Sequence, residues 1–90
     1  MTRDEWVKDL IAKQPVFDTR DKAIQAAIKA NEKLKVHEVW KEPKERGGRF
    51  VVAAPEAFET LYRENYKQVL DSAQITDIER DGNTDEIEEV

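Results

Sequence analysis

Apolar positions recur along the chain with two different periods. From Thr2 to Lys13 they fall at Trp6, Val7, Leu10 and Ile11, the spacing of one helix face. Thr2-Arg3-Asp4-Glu5 in front of them reads as a capping box, with Thr2 as N-cap and Glu5 reaching back to its backbone N–H. Pro15 ends this first helix near Lys13. After an apolar connector, Val16-Phe17, a second helix starts from a cap at Asp18 or Thr19 and runs to about Leu34. Its inner side carries Ile24, Ala27, Ile28 and Leu34, and its outer side Lys22, Gln25, Lys29 and Glu32.

The period then shortens to two. Val36 to Trp40 and Arg49 to Ala53 are rich in β-branched and aromatic residues, and Pro43 and Gly47-Gly48 lie between them. This is a β-hairpin with a charged loop. Alternation sets Val36, Glu38 and Trp40 against His37, Val39 and Lys41, so neither face is cleanly polar. Helices must cover one face and can partly cover the other, because an isolated hairpin is marginal in water.

Pro55 opens a third helix, with Phe58, Leu61, Tyr62, Val69 and Ala73 on one stripe and Tyr66 and Leu70 at its flank. Gln74 to Arg80 is a candidate third strand, and Asp81-Gly82-Asn83 a turn into an acidic tail. The pattern predicts a small single α+β domain over residues 1–80, in the order α-α-β-β-α with room for an extra C-terminal strand. Its helices pack on a small antiparallel sheet, and residues 81–90 follow as a tail expected to fray.

Composition narrows the function classes. Ninety residues make one domain, which buries roughly 60–65% of the surface its unfolded form exposes. There is no cysteine, hence no disulfide framework and no thiolate chemistry. The N-terminus lacks a signal-peptide pattern, and no apolar run approaches the ~20 residues of a membrane span, so a cytoplasmic location is expected. The net charge of −5 is polarised. Residues 29–53 carry seven basic and four acidic side chains, while residues 54–90 carry three basic and eleven acidic ones. Such asymmetry speaks about partners rather than fold.

Two surfaces are candidates for binding. The hairpin offers Trp40, Lys44, Arg46, Arg49 and Phe50. Two helices followed by a basic hairpin resemble a winged-helix arrangement, in which such a loop touches phosphates. Glu38, Glu42 and Glu45 interleave with those cations, and the negative net charge opposes phosphate binding. The second surface is acidic: Asp77, Glu79, Asp81, Asp85, Glu86 and Glu88. The spacing over 77–88 resembles an EF-hand calcium loop, with acidic residues at loop positions one, three, five, nine and twelve and Gly82 at position six. Thr84 stands where that loop has an apolar residue, Glu79 is longer than the usual ligand, and no exiting helix or second loop is expected. The segment therefore reads as an acidic turn and tail without a metal.

Asn31 and Asn65 fall near the centres of apolar stripes, where a buried amide needs a partner. His37 and Ser72 are the only histidine and serine, and no catalytic motif surrounds either. The sequence thus predicts a non-enzymatic, cofactor-free accessory protein that binds another protein, with a homodimer as one form. A sharper version has its acidic surface imitate nucleic-acid phosphate and block a nucleic-acid-binding enzyme, by analogy with small inhibitors from phages or mobile elements. The alternative is nucleic-acid binding through the basic hairpin loop.

Overall fold

The computed structural model describes residues 2–81 of the chain. Helix α1 spans Arg3–Ala12, and the Thr2 hydroxyl accepts a hydrogen bond from the Glu5 N–H at 3.2 Å. Strand β1 (Val16–Phe17) follows, then α2 (Arg20–Ala30), capped by the Thr19 hydroxyl. Strands β2 (Glu38–Lys41) and β3 (Phe50–Ala53) form the hairpin. A 3-10 turn at Pro55–Ala57 leads into the short α3 (Phe58–Arg63), then β4 (Lys67–Leu70) and α4 (Ser72–Asp81). The fold is α+β: helices pack on a four-stranded antiparallel sheet of order β1-β3-β2-β4.

The third helix is where the chain departs from expectation. It ends at Arg63 instead of running to Ala73, because Asn65 takes the left-handed conformation at φ 68°. The Tyr66 N–H then donates to the Leu61 carbonyl at 2.9 Å and the Asn65 N–H to the Tyr62 carbonyl at 3.2 Å, the paired bonds of a Schellman stop. Tyr66 and Leu61 meet in the core behind it. The extra strand is thus at 67–70, and 74–80, expected as a strand, is helical. Asp71 and Gln74 start that helix reciprocally, with the Gln74 N–H donating to Asp71 at 2.8 Å and the Asp71 N–H to Gln74 at 2.9 Å.

Two smaller differences follow from local bonding. Val16-Phe17 is an edge strand, pairing Val16 with Val51 and Phe17 with Phe50. Helix α2 stops at Ala30, because the buried Asn31 side chain binds the approach to β2. It donates to the His37 carbonyl at 3.2 Å and accepts from the His37 N–H at 2.8 Å. Leu34 is left outside the helix and 66% exposed.

Both faces of the sheet are covered. Val39, Val52 and Leu70 point to one side, where Ala23, Ile24 and Ala27 of α2 and Ile75 and Ile78 of α4 complete an aliphatic cluster. Trp40, Val51 and Ala53 point to the other, against Ala57, Leu61 and Tyr66, with Leu10, Ile11 and Phe58 at the margin. The Trp40 ring stacks on Phe58 with centroids 5.8 Å apart, and its indole N–H donates to Glu38 at 2.9 Å. The buried Gln14 ties α1 to the end of β3, accepting from the Ala54 N–H at 3.1 Å.

Candidate binding surface

The hairpin loop is built around a buried carboxylate. Glu42 accepts from the Arg49 backbone N–H at 3.1 Å and from its guanidinium at 2.9 and 3.2 Å. Those hydrogen bonds, then the charge of Glu42, hold Arg49 protonated above its ordinary range. Gly47 and Gly48 both sit at positive φ, 120° and 65°. A Cβ on Gly47 would stand 3.3 Å from Arg49 Nε and 3.4 Å from Glu42 Oε1, so the turn and the ion pair depend on the same glycine.

The remaining hairpin candidates are engaged to different degrees. Arg46 pairs with Glu64 at 2.8 Å and lies over the Tyr66 ring at 5.8 Å. Trp40 is buried at 6% exposure, and Phe50 is half-buried against the aliphatic cluster beneath Lys41. Lys44 is exposed, and its side chain has no ion-pair or hydrogen-bond partner among the described residues. The five therefore form one strand-and-loop unit rather than a finger of free cations.

The acidic candidates lie on and beyond α4. Asp77 and Asp81 share Arg80, at 3.5 and 3.3 Å, and Glu79 faces Lys35 at 4.0 Å. Asp85, Glu86 and Glu88 lie outside the described residues. Positions one to five of the calcium-loop spacing, Asp77–Asp81, are helical. That places Glu79 roughly 200° around the helix from Asp77, so the first three carboxylates do not converge. Among the described residues no group of His, Cys, Asp or Glu is arranged to hold a metal. His37 is engaged with Asn31, and Ser72 begins α4.

A surface that sequence reasoning did not single out lies across α3. Tyr62, read from the sequence as a stripe residue, is 73% exposed. That stripe drew on Val69 and Ala73, which are not on this helix; with them removed, Ala57, Phe58 and Leu61 define its inner side. Three clefts adjoin here. The first, about 220 Å³, lies between α1 and α3 and is lined by Arg3, Lys8 and the half-exposed Trp6. The second, an open groove of about 750 Å³, is lined by Tyr62, Tyr66 and Trp40. The third, about 380 Å³, runs under the hairpin loop beside Pro43 and Lys44. Arg63 is common to the first two, and Asn65 and Lys67 to the last two, so the three are continuous.

Tyr66 is the unusual group beneath this surface. Its hydroxyl is buried with no hydrogen-bond partner among the described residues. Burial raises its pKa above the ordinary 10.0, and the nearby Glu42 charge adds to the rise while Arg46 opposes it.

Comparison with protein-family models, curated proteins and solved structures finds no match at any of the three levels. Among the described residues, no helix is long and apolar enough to cross a membrane.

Proposed function

We propose that this is a small, non-enzymatic, cytoplasmic accessory protein that binds another protein through the surface spanning α3, the start of β4 and the hairpin loop. One observation carries the reading: Tyr62 stands 73% exposed beside a groove walled by other rings. A tyrosine there spends apolar surface on water, and contact with a partner recovers it. Tyrosine and arginine, adjacent here as Tyr62 and Arg63, are the residue types enriched where interfaces concentrate their binding energy. The protein acts by occupancy, as an inhibitor or adaptor does.

Nucleic-acid binding through the hairpin is the weaker reading, because Glu64 and Glu42 already engage Arg46 and Arg49. Phosphate mimicry is weakened in the same way, since Arg80 and Lys35 partly neutralise the carboxylates of α4. Affinity capture from source-cell lysate, with nuclease present, tests the proposal. A protein retained in stoichiometric amount by the natural chain and lost with Tyr62→Ala supports it. Retention by both chains removes the proposed surface, and loss of every retained species on nuclease treatment replaces the reading with nucleic-acid binding.

A further inference from the structure

The side chains lining the three adjoining clefts include seven cations and four anions, a local excess of three positive charges on a chain of net −5. Apart from a second basic stretch over residues 20–35, the rest of the chain is correspondingly more negative, so charge steers an anionic partner to this surface in preference to the acidic remainder. The cations are also divided by role. Arg46 and Arg63 are held by Glu64 and Glu59 at 2.8 and 2.6 Å. Lys44 and Lys67 at one end of the surface, and Arg3 and Lys8 at the other, have no ion-pair partner among the described residues. Between these two ends lies the aromatic groove.

We propose that the occupant is an acidic segment of a partner protein carrying a large apolar side chain, with its carboxylates toward the two cationic ends and the apolar group against Tyr62. This rests on the protein-binding reading above. A nucleic-acid strand fits the same surface less well. It brings a phosphate at every nucleotide, and Asp4, Glu45 and Glu64 line the clefts among the cations. A strand-binding groove follows the phosphate backbone with positive charge, and these carboxylates interrupt it. A peptide spaces its carboxylates and fills the interval between them with apolar surface, which is the pattern the clefts present.

The test uses the full, isotope-labelled chain and three probes: a short peptide of alternating glutamate and leucine, an all-glutamate peptide of equal length, and oligothymidylate. Backbone amide shifts report the site. The glutamate–leucine peptide is expected to move the amides of Tyr62 to Gln68 and leave those of α2 unchanged. It should bind about tenfold more weakly after Tyr62→Ala, and again after Lys44→Glu with Lys67→Glu. The all-glutamate peptide is expected to bind more weakly than the mixed one. Equal affinity of the two peptides, no shift with either, or oligothymidylate acting on the same amides at lower concentration overturns the inference. Its failure is distinguishable from that of the broader reading. If Tyr62→Ala abolishes capture of a protein but the glutamate–leucine peptide does not compete, the surface stands and the acidic occupant falls.

Discussion

Helices α2 and α4 close one face of the sheet with alanine and isoleucine, whereas on the other face Phe58 of α3 stacks on Trp40 of the sheet itself and α1 adds only the half-buried Leu10 and Ile11. On the first face Ala23 and Ala27 are fully buried and Ile24, Ile75 and Ile78 fill the space against the strands. Small side chains let α2 approach closely, and branched ones interlock. On the second face Trp40, Phe58 and Tyr66 make up much of the volume, and α1 contributes no buried residue. Flat rings stack well in one direction and leave open edges in the others. None of the three clefts is lined by a residue of α2 or α4. The same sheet thus has a closed side that supplies stability and an open side that supplies a surface.

Truncation should separate the two sides most sharply. Leu70→Ala on the aliphatic side is expected to cost about 2–5 kcal/mol in urea unfolding, and Leu10→Ala on the ring side only about 1 kcal/mol, because Leu10 is half-buried. Equal losses would mean that α1 is packed as firmly as the centre of the aliphatic cluster. Next in size is Asn31→Ala, which strands the His37 N–H and carbonyl and should cost about 1–3 kcal/mol. Asp71→Ala removes half of the reciprocal cap on α4, a loss of about 1 kcal/mol confined to the closed side and readable as lower helicity in that segment.

The smallest effect, and the only one of opposite sign, belongs to Tyr66→Phe. Because the hydroxyl is buried without a partner, its removal should leave stability unchanged or raise it by up to about 1 kcal/mol. The substitution also has a pH signature. An unfolded tyrosine loses its proton near 10.0, while folded Tyr66 keeps its proton to higher pH. Above that value the native state binds more protons than the unfolded one, so stability falls as pH rises. Unfolding measured across that alkaline range should show a shallower fall for Tyr66→Phe than for the natural chain. An identical slope would show that the hydroxyl finds a partner in solution.

Much of this architecture was legible because the signals were local. The cap at Thr2, the stop at Pro15 and the turn at Gly47-Gly48 each act within a few residues. The two semi-apolar faces of the hairpin foretold a sheet covered on both sides. The break after Arg63 was not legible, because Asn65 at a left-handed stop looks like any polar residue near an apolar stripe. Its second signal, Asp71 followed three residues later by Gln74, is a capping pattern masked by the apparent continuity of the helix. Misreading that break also concealed the candidate surface, since a longer helix places Tyr62 inward.

The outer strands of the sheet come from opposite ends of the described chain, and this has a kinetic consequence. The β2–β3 pair closes on its own loop, while the two residues of β1 must return to Val51 and Phe50 across the whole of α2. Amide exchange should therefore be slowest in β2 and β3, and β1 should open first. Helix α1 precedes β1 but has ties of its own, Leu10 and Ile11 against the ring cluster and Gln14 on the Ala54 N–H, so it keeps its place only through these when β1 opens. The first cleft is bounded on one side by α1, so the half-buried Leu10 and Ile11 and the single Gln14 contact, rather than a buried helix face, fix its width.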